Sequence, residues 1–559
     1  MGKRTGEKNK KTEWFLFGLL IIAYIVVSFF HEPWFDEAQS WQIARCASFK
    51  DILFEIPHYE AHPPLWHLFL TIFAKTGVPY ELGLSIASGI AVVASGWLIL
   101  FKSPFPRLVR CLLPFHYFLF YQYGVVARPY GFMGLGLLLL AMNFKKKNEK
   151  TWLFILLLAL ECLLSAYGII LAGGIAFAWI LEICQSKNWK LLKITFWKDI
   201  RVLLLGLLLI LALFLVYDIS PREDTVIGFA KIGQKILPCF LYTFLMALPD
   251  CSILNIIKSE GILRYVEIGV ADAILGCVIG ILLLSAIVLF SSREKLKYFA
   301  FPYVFFACFS AYVYFATHHV GIALLFILFW LWINCEDENR GYLWNKFKTK
   351  IRISEADVKK IRLLGIGSGY LLVIVPVIWT LLSSVMDIQK PYFYSRDTAE
   401  FLLENHLEEL NILCEWSGSA LSGDDENVFY DMNTNVMKTA VTLAPYFEGN
   451  PFYNFNMGAG NAAYVKFSIP TTEENREVVG TWAAKGKPDV IVGMVNPGLL
   501  FGEEVTKAEY AVIYKMRPVQ FAIWKGQPAS NVFAVNYVYM RKDLVEQYGL
   551  ATLGESPID

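Results

Sequence analysis

The sequence predicts a polytopic α-helical membrane protein, with about eleven spans plus interfacial helices, ending in an extracytoplasmic α/β domain. Three observations carry that expectation. Of 559 residues, 56% are hydrophobic and only 18% are charged, against about 25% charged in a typical soluble protein. Long apolar runs recur from Glu13 to Met386, and about 20 apolar residues are what a helix needs to cross a bilayer. From Asp387 onward Gly, Asn, Glu and Thr rise, and no run is long enough to span. The expected division is a membrane-embedded domain over residues 1–386 and a soluble domain over residues 387–559.

Composition also excludes some classes. A net charge of +1 gives no case for a nucleic-acid partner. The ten cysteines show no CxxC pair or His/Cys metal spacing, which suits small buried side chains. Cys239 and Cys251 could pair if their loop faces an oxidising compartment.

In chain order, Met1–Lys11 is a basic tail and Glu13–Phe30 the first span. Its layout resembles a signal peptide, but no small-residue cleavage site follows, so an uncleaved anchor with a cytoplasmic N-terminus is expected. The next loop should hold two amphipathic helices. One begins near Asp36; the other begins at Ser48, where Ser48-x-x-Asp51 is a capping signal, and ends before Pro57. Pro63–Thr76 is apolar but short for a span and is expected to be re-entrant or interfacial. Further spans are expected near Leu82–Phe101, Leu108–Tyr123, Pro129–Phe144, Trp152–Ser165, Ile169–Ile183 and Val202–Tyr217. The remaining ones fall near Val266–Phe290, Tyr298–Phe315, Gly321–Ile333 and Leu363–Met386.

The loops between these spans alternate in charge. Lys102–Arg110, Lys145–Lys150, Lys187–Arg201, Arg293–Lys297 and Lys346–Arg362 are basic; Gly124–Arg128, Ala166–Gly168, Asp218–Arg264 and Thr317–Val320 are not basic clusters. The positive-inside tendency assigns the first group to the cytoplasm and the second to the outside. The C-terminus then falls outside. Asp218–Arg264 becomes a second external loop, its partly apolar stretch Ile227–Leu248 lying along the interface. Beyond Asp387, Asp397–Glu404 reads as a helix. Asn411–Glu415, Asp489–Val492, Tyr510–Tyr514, Phe521–Trp524 and Val532–Met540 read as strands.

Chemistry concentrates on the outer side. Asp36 and Glu37 sit between Trp34 and Trp41. They suit a helix cap, with Asp36-x-x-Gln39 loosely a capping box. At an interface where water is limited, Asp36 could equally act as a general base, with Glu37 in reserve. His62-Pro63-Pro64 stands where loop becomes membrane: the prolines can start a helix, and the imidazole can meet a lipid phosphate or help bind a metal. Arg128-Pro129-Tyr130 opens a span at its outer end. An arginine at that depth either snorkels or clamps phosphate through its planar fork. His318-His319 joins two spans and is either a polar turn or part of the same external cavity. All four places fall on one side of the predicted topology.

Asp36-Glu37, then His62-Pro63-Pro64-Leu65, then Arg128-Pro129-Tyr130: over Met1–Met386 this order resembles the GT-C superfamily. It is most similar there to protein O-mannosyltransferases, aminoarabinose transferases and related bacterial enzymes. Ala316-Thr317-His318-His319-Val320-Gly321 resembles a later external motif of bacterial members, in which an arginine often holds the place of His318. The resemblance implies an integral cell-membrane glycosyltransferase that takes a sugar from a polyprenyl-phosphate donor with inversion and passes it to a glycan, lipid or protein acceptor. It implies Asp36 as base or metal-assisting carboxylate, His62 and Arg128 on the carrier phosphate, and Tyr130 supporting Arg128. Use of a divalent metal differs among members and stays open. The competing reading is a flippase for a lipid-linked glycan, whose mark would be two similar halves with interrupted spans; none is visible. A glycan polymerase or ligase would share the carrier but take a glycan acceptor.

Overall fold

The computed structural model describes residues 2–186, 198–223, 236–254, 270–315, 317–414, 439–452, 464, 487–493, 507–516, 521–522, 527–528 and 536–553. Its main helices are α1 (Gly2–Phe30), α2 (Phe35–Cys46), α3 (Leu65–Ala74), α4 (Tyr80–Phe101), α5 (Tyr130–Asn143), α6 (Thr151–Leu164) and α7 (Ala166–Ser186). They continue with α8 (Ile200–Asp218), α9 (Val270–Phe290), α10 (Leu296–Tyr312), α11 (Val320–Cys335), α12 (Glu355–Gln389) and α13 (Ser395–Glu404). Among the described residues five helices are long and apolar enough to cross a membrane: the Lys10–Phe30 part of α1, then α4, α7, α8 and α12. Several more, α3, α6 and α11 among them, are apolar but shorter.

The first loop folds much as its pattern suggests. Ser48 caps the short helix Phe49–Phe54, its Oγ accepting from the Asp51 N–H at 3.1 Å. Helix α3 is only 10 residues long and ends in a turn at Gly77, whose φ of +80° suits glycine. It packs against α2 and α4. The helix start at Trp34 departs from expectation. The residue closing that end is Glu37, whose Oε2 accepts from the Trp34 N–H at 3.2 Å, so Asp36 is released from capping.

Leu108–Tyr123 is not one continuous span. It is broken into Arg107–Leu112, a 3₁₀ turn Leu113–Phe115, Tyr117–Phe120 and a π turn Tyr121–Val125. Pro114 lacks an N–H and interrupts the ladder. His116 is extended and caps the next piece, its Nδ1 accepting from the Phe118 N–H at 3.3 Å. The aromatic pieces that follow are buried. The chain thereby dives through the core and emerges at Arg128.

The ends of the bundle differ in charge. At one end Lys147 pairs with Glu182 at 2.9 Å and Lys145 with Glu336 at 3.6 Å. There too Arg201 donates to Asn148 at 3.1 Å and Tyr298 to Glu182 at 2.7 Å. These contacts gather three of the basic loops into one belt. The other end of α5, about 20 Å away at 1.5 Å per residue, carries Arg128, Pro129 and Tyr130.

The C-terminal segment packs on that second end. Its sheet consists of β1 (Ile412–Cys414), β2 (Val490–Gly493), β3 (Tyr510–Met516) and β6 (Asn536–Arg541), in the order β1-β2-β6-β3. β1 and β2 are parallel; β6 runs antiparallel to β2 and β3. A separate ribbon joins β4 (Phe521–Ala522) to β5 (Gln527–Pro528). Parts of three expected strands, Glu415, Trp524 and Val532–Val535 among them, lie outside the described residues, as do residues 227–235 of the expected interfacial stretch. Ala399, Leu402, Val490 and Met540 share one apolar cluster with Ala38, Trp41, Leu84 and Ala87 of the helical region. Arg396 closes the junction, donating from Nε and Nη2 to the two Glu81 oxygens at 2.8 Å each. Cys239 and Cys251 are separate buried thiols.

Helix α11 approaches the Tyr117–Val125 segment at Gly321, where an added Cβ would run into the Phe118 ring. Gly321→Val is therefore expected to cost about 1–3 kcal/mol of stability through overpacking. A thermal-unfolding comparison in one detergent checks it; an unchanged midpoint would remove the close approach from the account.

Candidate active site

Loops and helix ends at the end of the bundle on which the C-terminal segment packs enclose a cavity of about 350 Å³. Helix α2 presents Phe35, Asp36, Gln39 and Ser40 to it; the turn before α3 presents Glu60, His62 and Pro63. Arg128 and Pro129 enter from the start of α5, Tyr167 from α7, Tyr314 from the chain after α10, and His318 and His319 from the turn before α11. Five of the seven residues singled out in the sequence, Asp36, His62, Arg128, His318 and His319, thus line one chamber.

Arg128 Nη1 donates to Asp36 Oδ2 in an ion pair. The Asp36 side chain is 30% exposed and that of Arg128 10%; what exposure they have is toward the cavity. Burial by itself raises the Asp36 carboxyl, but Arg128, His318 and His62 outweigh it and hold the group below the ordinary carboxylate range. Burial likewise disfavours the guanidinium, and the adjacent Asp36 more than restores its charge. Burial pushes His62 down to about 4, with Arg128 adding to the effect. Its ring is therefore neutral at physiological pH, and Nδ1 has no hydrogen-bond partner among the described residues. The Trp66 Nε1 on the same wall also lacks one.

Tyr130 does not line the cavity but stands behind it. Its ring lies 5.6 Å from the Arg128 guanidinium, and its hydroxyl is 2.9 Å from His319 Nε2. The Tyr167 hydroxyl donates to the Tyr314 carbonyl at 2.6 Å and lies 3.2 Å from His319 Nδ1. Because that hydroxyl has spent its proton on a carbonyl, His319 must carry hydrogen on Nδ1 and accept from Tyr130 at Nε2. Burial keeps this imidazole neutral.

Glu37 is placed elsewhere. It is 1% exposed and faces away from the cavity. Its Oε1 accepts from the Ala127 N–H at 2.7 Å, and its Oε2 lies 3.2 Å from His31 Nε2. His31 Nδ1 is 2.9 Å from Asp387 Oδ2, to which the Tyr121 hydroxyl also donates at 2.9 Å. This buried network joins the end of α1, the start of α2, the π turn and the last turn of α12.

Glu60 was not singled out by the sequence reading. Gln39 Nε2 donates to its Oε1 at 2.8 Å, and burial lifts its carboxyl to about 7. Ala61 beside it adopts the left-handed conformation, φ +53°, which is uncommon for a residue with a Cβ. That turn sends Glu60 and His62 into the same chamber. The available signal was spacing alone, an acid two residues before His62. Among the described residues no three His, Cys, Asp or Glu side chains converge to hold a metal ion.

Fold and cavity together define a helical protein of membrane type with a charged chamber at one end of its bundle. No family model matches the chain, and no curated protein or solved structure is significantly similar to it.

The network around His31 has a pH signature. Burial opposes its charge, but Asp387 and Glu37 outweigh that and raise the imidazole from 6.5 to about 10. A raised folded-state value stabilises the fold fully below pH 6.5 and loses that contribution as pH rises through 10. Wild-type stability is expected to fall between pH 7 and 10, and His31→Gln should be less stable at pH 7 with a flatter profile across that window. Parallel alkaline slopes in denaturant titrations would contradict the assignment.

Proposed function

We propose that the protein is a glycosyltransferase of the GT-C type, which moves a sugar from a polyprenyl phosphate to an extracytoplasmic acceptor with inversion at the anomeric carbon. One observation carries this reading. The Asp36–Arg128 pair shares a 350 Å³ chamber with Glu60 and four imidazoles, next to helices apolar enough for a bilayer. A flippase needs cations for the phosphate but no base, and this chamber holds two carboxylates as well as its cation.

The chemistry follows from the pair. In the resting site Arg128 and Asp36 neutralise one another. A donor phosphate competes for the guanidinium, which matches its oxygens in a bidentate way. Asp36 then loses the partner that keeps its pKa low and becomes a stronger base. The acceptor hydroxyl gives its proton to Asp36 as its oxygen bonds to the anomeric carbon. The bond from that carbon to the phosphate oxygen breaks, and polyprenyl phosphate leaves with the electron pair. Arg128 and the open Nδ1 edge of His62 stabilise the leaving charge. Glu37 takes the role of a positioning residue, not of a base. A second assignment of the base rests on Glu60, whose carboxyl near 7 suits proton transfer at neutral pH better than a low one.

Asp36→Asn is expected to insert normally and lose transfer about 100-fold or more, the usual weight of a general base, when purified protein in lipid is assayed with a panel of polyprenyl-phosphate sugars. Full activity in Asp36→Asn with a comparable loss in Glu60→Gln, together with loss of the wild-type profile's inflection near pH 7, would move the base to Glu60. Activity retained in both would sink the transferase reading. Arg128→Ala should damage use of the lipid donor more than that of the acceptor; an unchanged donor KM and kcat would reject the clamp.

The reading places the chamber and residues 387–559 outside the cytoplasm and the basic belt inside. Single cysteines at Glu400 and Lys146 test this in a cysteine-free background. Impermeant maleimide added to intact cells should reach the first only, and the reverse pattern would invert the topology.

A further inference from the structure

A second, larger hollow lies away from the charged chamber. It measures about 1740 Å³, above the roughly 300–1,000 Å³ usual for small-molecule pockets. Its walls are α1 and α4, from Phe17 to Phe30 on one side and from Tyr80 to Leu98 on the other, with Leu135 and Leu139 of α5 as the floor. From Glu81 to Leu98, α4 runs roughly 25 Å at 1.5 Å per residue. That approaches the roughly 30 Å hydrocarbon thickness of a bilayer. Ile25, Phe29, Leu82, Ile86 and Ile90 along it are exposed.

The two ends of the groove differ. One is apolar throughout. The other is closed by Glu81 and by Arg396, Glu400 and Tyr446 of the C-terminal segment. Arg396 is fully engaged there, by both Glu81 oxygens at 2.8 Å and by the His31 carbonyl at 2.9 Å. Tyr446 donates to Glu81 at 2.6 Å. Glu400 is exposed and makes no ion pair among the described residues. Tyr80 borders the groove at the same level, with its hydroxyl buried beneath the surface. Tyr80 is 6% exposed, yet its hydroxyl has no hydrogen-bond partner among the described residues, a costly state for a buried polar group.

We infer that this groove seats the chain of a long-chain lipid whose head group is uncharged and hydroxylated, a glycolipid, with the Glu400 carboxylate accepting from that head. The apolar walls match hydrocarbon in length and orientation. Among the described residues the mouth offers no free cation to a phosphate and sets the Glu400 carboxylate against it, whereas sugar hydroxyls can donate to Glu400. The inference is independent of the chemistry assigned to Asp36.

The test uses the full chain in nanodiscs and a long-chain alkyl glycoside carrying a diazirine in its chain. Crosslinks mapped by mass spectrometry are expected on Phe17–Phe30 and Leu82–Leu98 and not on the equally apolar α8. Unlabelled alkyl glycoside should compete, and polyprenyl phosphate should not. Val93→Trp, which fills the groove, should abolish the labelling. Glu400→Ala should weaken glycoside competition by about fivefold, the net worth of one hydrogen bond. Labelling spread equally onto α8, or polyprenyl phosphate competing as well as the glycoside, would overturn the inference. So would full labelling in a folded Val93→Trp protein. If Val93→Trp does not fold, the α8 comparison and Glu400→Ala still decide it.

Discussion

The arrangement at the head of the bundle depends on one buried carboxylate, that of Glu37. It holds the Trp34 N–H, the Ala127 N–H and the His31 imidazole at once. Through the first it starts α2 and so aims Asp36. Through the second it fixes the peptide that leads into Arg128. The two charged groups facing each other across the chamber are therefore set by their immediate chain neighbours, on the far side of the same backbone. A carboxylate at this depth is tolerable only because its partners are close and charged or polar. Asp387, from the last turn of α12, completes the set by holding the other edge of His31, so the long final helix is tied to the first loop.

That construction explains how a charged chamber persists in a largely apolar chain. Its central pair is balanced locally, Arg128 by Asp36, and Glu60 takes up a proton near neutrality. His62 and His319 stay neutral. The Asp36–Arg128 pair carries no net charge at rest, and an arriving phosphate must draw Arg128 away from Asp36. Several breaks in regular secondary structure lie in this region. The π turn at Tyr121–Val125, the left-handed Ala61 and the 3₁₀ turn at Thr317–His319 all border it, where irregular backbone can be satisfied by side chains in place of lipid.

Much of this was legible in the residues. Apolar length and the positions of charge announced the helices, and the convergence of Asp36, His62, Arg128 and His318-His319 could be argued from loop parity before any coordinates. Three features could not be read. The interruption of Leu108–Tyr123 hides because its aromatic residues are as apolar as a continuous span. The exchange of roles between Asp36 and Glu37 hides because adjacent acids satisfy the same capping pattern, and only the fold decides which one turns inward. Glu60 hides because its raised affinity for a proton comes from burial by α2, a contact set by the packing of a turn and not by its neighbours in sequence. The C-terminal strands were recognisable by their Val, Ile and Tyr content, but nothing in them announced that Arg396 would reach back to Glu81.

The mutual satisfaction of Asp36 and Arg128 also has a pharmacological corollary. A simple phosphate mimic must part the two and leaves an acid without its counterion inside a poorly hydrated chamber, so it would bind weakly. A zwitterionic compound, such as a phosphonate with an amine set beside it, could offer each separated side chain a new partner of the right sign. Compounds of that kind are the natural starting scaffolds for inhibitors of this site.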